Sequence, residues 1–275
     1  MSASRPAVSV IILTYRGHDQ LKHCLQSVVD TFNSPSDEII VTEDSEDPST
    51  AEIVKSVQSL EYPNITHVTQ PDVDLRVSTA RNRGFLASTN DALLFLDHDV
   101  VLPKNFANCL SRYHREGWVT GGRRFFLNEA QTRKLYCDSG KRVDPFALST
   151  KLKALIFRWE GWRYLLPLRD RTPGKTPQDW RAMASFCFAV SRGDFLKVDG
   201  FDSRYDGVYA TEDWDLYARM DHAGLKFGYL PFQATVAHLH HQKAVHDLAS
   251  RNYKFLEQVI SERRIQAVSG ITKLV

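Results

Sequence analysis

"LLFLDHDVVLP" (residues 93–103) carries an apolar run straight into Asp97, His98 and Asp99 and then returns to apolar residues. A strand covered on both faces reads as continuous hydrophobic sequence, so two carboxylates one residue apart at its end mark an edge where the strand meets solvent or a ligand. The pattern repeats upstream. "VSVIILT" (8–14), "EIIVT" (38–42) and "ITHVT" (65–69) are short β-branched runs. Between them lie stretches at helical spacing, first Leu21, Cys24, Leu25, Val28, Val29 and Phe32, then Ile53, Val54, Val57 and Leu60, then residues 76–90. Strand alternating with helix predicts an α/β chain with a doubly wound, mostly parallel sheet, in which ligands bind outside the carboxyl ends of the strands. Asp97 and Asp99 fall at one such end, Glu43 and Asp44 at another. Pro103 is expected to open the helix after the fourth strand.

The 275 residues suffice for one large domain; 43% are hydrophobic and 25% charged, a globular balance without repeats or low-complexity tracts. A net charge of +2 is too small on its own to imply a nucleic-acid binder, although it leaves room for a local basic patch; nucleic acid is not expected as a partner. Cys24, Cys109, Cys137 and Cys187 are scattered, with neither CxxC nor zinc spacing, and are expected as reduced thiols. "MSASRPAVSVIILTY" lacks the features of a signal peptide, and no apolar run approaches about 18 residues, so a cytoplasmic location is expected.

An Asp-X-Asp at a strand end can hold a divalent cation between a carboxylate and diphosphate oxygens, because Mg²⁺ and Mn²⁺ prefer hard oxygen ligands beside substrate phosphates. Solvated turn acids would look the same, so the neighbouring motifs decide. In "STARNRGFLAS" (78–88), Arg81 offers a fork of donors for phosphate or a base carbonyl, and Gly84 permits close helix packing. In "IIVTEDSEDPST" (40–51), Glu43 and Asp44 follow the second strand, and Asp47 or Ser49 can cap the next helix. Downstream, "SFCFAV" (185–190) reads as a strand, 211–223 as a helix closed by Gly224, and 225–230 and 234–239 as short strands before a polar C-terminal helix. Thr211 is a suitable N-cap for the 211–223 helix, with Glu212, Asp213 and Asp215 in its first turn. "VAHLHH" (236–241) offers neutral imidazoles for Mn²⁺, and strand alternation puts His238 and His240 on one face and His241 on the other. Residues 123–184 lack a clear period and read as an insertion. Within it, "KLKALIFRWEGWRYLLPLRDR" (151–171) mixes basic and apolar residues, a composition suited to an acceptor, an anionic membrane surface or an amphipathic packing helix.

In this order, "VSVIILTYRGHDQLKHCLQSV", "EIIVTEDSEDPST", "STARNRGFLAS" and "LLFLDHDVVLP" resemble the nucleotide-sugar half of a family 2 glycosyltransferase with the GT-A fold. The resemblance implies that Thr14 and Tyr15 lie against the nucleotide and that Arg81 serves the donor. It puts Asp97 near the ribose and metal, with Asp99 as the direct metal ligand. Thr42-Glu43-Asp44-Ser45 stands where the family usually has Asp-Asp-Gly-Ser, so either Glu43 or Asp44 takes the base-contacting place. "VDGFD" followed by "TEDWDLYAR" is similar to an acceptor-side segment shared with galactosyltransferase-like C-terminal domains, whose Glu-Asp motif supplies the catalytic base; here that is Asp213, with Glu212 beside it. A related "V-small-His" step implies a metal-binding His238, with His240 on its face.

Together these imply one GT-A domain over 1–275: a donor half (1–122), an insertion (123–184) and an acceptor and base half (185–275). The implied activity is inverting transfer from a nucleotide diphosphate sugar, UDP-sugar favoured, assisted by Mn²⁺ or Mg²⁺. The implied acceptor is a saccharide or lipid-linked saccharide, in polysaccharide or glycoconjugate synthesis, with peripheral contact at the inner face of a membrane. Two rivals are a sugar nucleotidyltransferase, for which "TYRGHD" makes a poor phosphate loop, and a catalytically inactive carbohydrate-binding relative.

Overall fold

A computed structural model describes residues 5–58, 64–136, 144–166, 178–208, 211–241 and 251–275. Leu60, Cys137 and residues 167–171, which entered the expectations above, lie outside the described residues.

The four apolar runs form β1 (Val8–Thr14), β2 (Glu38–Glu43), β3 (Ile65–Thr69) and β4 (Ala92–Asp97). They pair in parallel, with β1 between β2 and β4 and β3 outside β2. Alternation along β1 explains why both faces are apolar. Val10 and Ile12 pack with Leu21, Cys24, Leu25 and Val28 of α1 (His18–Thr31). With them lie Val54 and Val57 of α2 (Pro48–Gln58). Ile11 joins the opposite core with Phe85 of α3 (Val77–Leu86). Gly84 lets α3 come close, because a Cβ there would lie 2.5 Å from Ile11 Cγ2.

Six further strands follow: β5 (Val100–Val101), β6 (Trp118–Gly121), β7 (Arg124–Phe126), β8 (Cys187–Ser191), β9 (Lys226–Tyr229) and β10 (Val236–His238). The main sheet has seven strands in the order β3-β2-β1-β4-β8-β6-β9, parallel except for β8. A second sheet, β5-β10-β7, lies beyond the end of β4. The remaining helices are α4 (Phe106–Tyr113), α5 (Glu129–Tyr136), α6 (Leu148–Ile156), α7 (Arg192–Lys197), α8 (Glu212–His222) and α9 (Arg251–Glu262). α4 packs on the α1 face, while α7, α8 and α9 pack on the α3 face. Strand order reverses between β1 and β4, and the crevice such a reversal opens is where doubly wound sheets bind ligands.

Three local expectations are corrected. Pro103 does not open α4: its carbonyl accepts the Phe106 N–H in a turn that precedes the helix. Thr211 caps nothing with its side chain; it sits in the left-handed region at φ 71°, and its hydroxyl has no partner among the described residues. Residues 123–184, expected as an insertion without clear elements, hold β7, α5 and α6, each too short for its period to stand out in sequence.

Candidate active site

The site is built at the strand reversal. Leu13 pairs with Asp97 across β1 and β4, and the His98 N–H donates to the Leu13 carbonyl at 3.1 Å, so Thr14 and Asp97 leave the sheet side by side. Thr14 Oγ1 is buried without a hydrogen-bond partner among the described residues. Tyr15 is exposed at the rim, with the Arg16 guanidinium 4.9 Å from its ring centroid and paired with Asp72 at 2.8 Å. A Cβ on Gly17 would overlap the His98 ring. Glycine at 17 thus lets the His98 ring pack directly against the backbone after β1.

Arg81 reaches in from α3, buried, and bridges two acids: Nη2 donates to Asp97 Oδ1 at 3.0 Å and Nη1 to Glu212 Oε1 at 3.2 Å. Burial opposes its charge, but Asp97, Glu212 and Asp213 outweigh burial and hold its pKa above the ordinary value. Its helix is clamped to the second half. The Asn82 amide donates to the Phe201 carbonyl at 2.8 Å and accepts the Phe201 N–H at 2.9 Å. Asp206 accepts the backbone N–H groups of Ser78 and Thr79 at the start of α3.

Glu212 and Asp213 open α8 directly after the strained Thr211, a conformation that costs on the order of 1–3 kcal/mol. Burial and then the Asp213 charge push the Glu212 carboxyl up to about 6, against the pull of Arg81. Burial likewise raises Asp213, opposed by Arg81, the Trp214 N–H and the Ser185 hydroxyl. The Glu212 carboxyl, at about 6, can therefore gain or lose a proton in the mildly acidic range, and Asp213 beside it is shifted in the same direction.

The second sheet positions the histidines. His238 pairs opposite Val100 in antiparallel register, and the Leu239 N–H donates to the Asp99 carbonyl at 2.8 Å. His238 Nε2 thereby lies 3.4 Å from Asp99 Oδ1, and His241 Nε2 lies 3.3 Å from Oδ2. One ligand atom from each of the three residues falls within a 4.8 Å group. Burial, followed by the charge of Asp97, pushes the Asp99 carboxyl up to about 8. Burial, followed by Arg124, pushes His238 down to about 3, which keeps its imidazole neutral. Asp99 Oδ1 is buried with no hydrogen-bond partner among the described residues. One carboxylate and two imidazoles, with an orphaned buried oxygen among them, are a donor set that fits Mn²⁺.

His240 stands apart: it is exposed, and its backbone N–H donates to Thr132 Oγ1. β10 ends at His238, so alternation does not carry on to residue 240, and His241 turns back toward Asp99 instead. Asp97 belongs to the Arg81 bridge rather than to the three-residue group. Glu43 and Asp44 do end β2 at the same edge, but both are buried and engaged. Glu43 accepts from the Ser45 hydroxyl and the Asp47 N–H and pairs with His67, while Asp44 accepts from Gln70 and the Arg76 N–H. The residues missed from sequence are His241, Ser185, Asn82 and Asp206. For His241 the hint was the brevity of the apolar run before it; the other three depend on contacts across the fold and had no local signal.

Two openings flank Trp159 and Glu160 of the insertion. One, of about 410 Å³, includes His240 and His241; the other, of about 950 Å³, includes Arg123, Arg158, Trp162 and Tyr229.

Comparison with known proteins gives this arrangement a lineage. The sequence profile of glycosyl transferase family 2 matches residues 9–192, and a profile described as the N-terminal domain of galactosyltransferase matches residues 173–242. A Drosophila melanogaster protein named for polypeptide N-acetylgalactosaminyltransferase activity is 23% identical over 269 residues, covering 92% of this chain and 40% of that protein. Validoxylamine A glucosyltransferase of Streptomyces hygroscopicus subsp. limoneus is 29% identical over 110 residues, covering 40% of this chain and 24% of the relative. Among solved structures, S. aureus TarS 1-349 superposes with a TM-score of 0.63 at 13% identity, covering 94% of this chain and 65% of the other. Its complex with UDP-GlcNAc superposes at 0.62, also at 13% identity, covering 94% and 66%. The chain thus spans less than half of either curated relative and about two thirds of TarS 1-349. The sheet and its flanking helices are those of the GT-A fold.

Proposed function

The chain belongs to glycosyl transferase family 2, and from that premise we propose that it is an inverting, metal-assisted enzyme moving a sugar from a nucleoside diphosphate sugar, UDP-sugar favoured, to an acceptor hydroxyl. The observation that carries this reading is the convergence at one strand edge of the Arg81-bridged acids Asp97 and Glu212, the adjacent Asp213, and the Asp99–His238–His241 group. The TarS complex with UDP-GlcNAc supports the donor class.

On this reading the 275 residues act as one unit. Thr14 and Tyr15 receive the nucleotide, the exposed ring of Tyr15 giving the base a flat apolar face. Glu43 and Asp44, their oxygens already engaged, shape the wall behind the base. Asp97, held by Arg81, faces the ribose. Arg81 is a positioning residue: both of its arms are committed to protein carboxylates. Asp99, His238 and His241 would hold Mn²⁺ or Mg²⁺, which when bound offsets negative charge on the departing diphosphate. Asp213 accepts the proton of the acceptor hydroxyl as that oxygen bonds to the anomeric carbon and the bond to the diphosphate oxygen breaks, inverting the carbon. Glu212, tied to Arg81, holds the start of α8 in place. The acceptor, a saccharide or lipid-linked saccharide of polysaccharide or glycoconjugate synthesis, enters beside the insertion. Cys24, Cys109 and Cys187 form no disulfide among the described residues, as suits a cytoplasmic setting.

The test is turnover of a UDP-sugar panel with Mn²⁺, following UDP release and the anomeric configuration of the product by NMR. UDP release with an inverted product is expected. Pyrophosphate release, or a product that keeps the donor's configuration, would overturn the reading.

A further inference from the structure

No helix among the described residues is long and apolar enough to cross a membrane, yet α6 turns its apolar side chains outward. Leu148 is 80% exposed, Leu152 53%, Ile156 64% and Phe157, just past the helix, 71%, whereas Ala154 on the inward side is fully buried. At about 100° per residue, Leu148, Leu152 and Ile156 form one stripe roughly 80° wide, with Lys151 and Lys153 at its two edges. Arg158 follows, and no acidic residue lies between Phe146 and Trp159. A lone exposed leucine needs no explanation, but four large apolar side chains at one place on a surface mark a contact.

We propose that this stripe docks on an anionic lipid surface, the apolar side chains entering the headgroup boundary while Lys151, Lys153 and Arg158 reach lipid phosphates. Charge selects this occupant. A second copy laid stripe on stripe would bring lysine edges against lysine edges, whereas an anionic bilayer meets both edges with opposite charge. Docking stands apart from the transfer reaction, since it needs neither donor nor acceptor. Its use to the enzyme rests on the proposed function: Arg158 and Trp162 line the 950 Å³ opening beside the stripe, so a docked chain would hold that opening at headgroup level, where a lipid-linked acceptor is presented.

The experiment is co-sedimentation of the full chain with vesicles of phosphatidylcholine, with and without phosphatidylglycerol. Binding is expected only with phosphatidylglycerol, falling with salt. Lys151→Gln with Lys153→Gln should weaken it by about fivefold per residue, and Leu148→Glu, Leu152→Glu and Ile156→Glu together should abolish it. The melting temperature and UDP-sugar binding, measured on the same variants, are expected to stay unchanged and show that the fold and donor site are intact. Wild-type protein that ignores phosphatidylglycerol vesicles, or a triple variant that binds like wild type, would overturn the proposal. So would a dimer in light scattering that the triple variant dissociates while vesicles are ignored, which would assign the stripe to a second copy.

Discussion

β2 and β4 flank β1 on opposite sides, and each ends in a pair of acids at the same edge of the sheet. After β2, the Glu43 carboxylate is surrounded by His67, the Ser45 hydroxyl and the Asp47 N–H; burial works against its charge, but these bonds outweigh burial and keep its pKa below the ordinary value. After β4, Asp99 is also buried, though less completely, yet one oxygen has no hydrogen-bond partner among the described residues and its pKa is driven up. A buried carboxylate without compensation is costly. The first pair is satisfied by the protein itself; in the second, Arg81 satisfies Asp97 and Asp99 alone keeps an unpartnered oxygen, which on the proposed function is left for a cation.

The largest effect expected in this contrast lies just across the Arg81 bridge. Asp213→Asn should fold and bind donor normally but transfer at least about a hundredfold more slowly; near-normal turnover would move the base to another group. Because the Glu212 carboxyl is raised to about 6 and Asp213 is raised too, the ionised fraction of the pair shrinks as pH falls. The wild-type kcat/KM should therefore decline below about 6, as a property of the coupled pair.

A sharper test exchanges the two strand ends. Asp99→Asn should weaken Mn²⁺-dependent donor binding about tenfold to a hundredfold, the scale of one charge-assisted contact, and leave thermal stability intact or higher. Glu43→Gln should do the reverse, lowering stability by about 1–3 kcal/mol with Mn²⁺ binding unchanged. The pH dependence carries the matching sign: the folded Glu43 pKa is depressed, so its stabilisation is present above the ordinary carboxylate range and is lost as pH falls through the lower folded value. Calorimetric melts and Mn²⁺ titrations of both variants would break the comparison if they gave the same profile.

Asn82→Ala removes both hydrogen bonds to Phe201 and strands a buried N–H and C=O, which should cost about 2 kcal/mol in a thermal melt. The smallest contrast is between neighbours. His241→Ala should weaken Mn²⁺ binding measurably, whereas His240→Ala should leave it alone and alter stability by no more than about 0.5 kcal/mol; equal effects would mean that the Asp99 group is misassigned.

Of the parallel strands, β1 was legible because burial on both faces leaves little polar interruption, and β3, half-exposed, because its β-branched residues stand together; both span the residues expected from sequence. The ends of those strands were legible too, since Asp97 and Asp99 stand out against the apolar run before them. The engagement of each acid was not. Glu43 and Asp99 look alike in sequence, and only neighbours from other segments, His67 for one and His238 for the other, distinguish them. Arg81 was read as a ligand for the donor because a guanidinium suits phosphate, but its carboxylate partners occupy both arms. His241 escaped because alternation presumes a strand, and β10 is three residues long.

The Arg81 bridge also has a consequence in time. Its two carboxylate partners lie 16 and 131 residues further along the chain. At translation speeds of about 5–20 residues per second, the later partner leaves the ribosome on the order of ten seconds after the arginine does. Through that interval an emerging chain can already carry β1 to β4 and the aspartates at the end of β4, while Glu212 and Asp213, the proposed base, are still to come. On the proposed function, a nascent chain would thus be unable to spend sugar nucleotide before its own synthesis reaches α8.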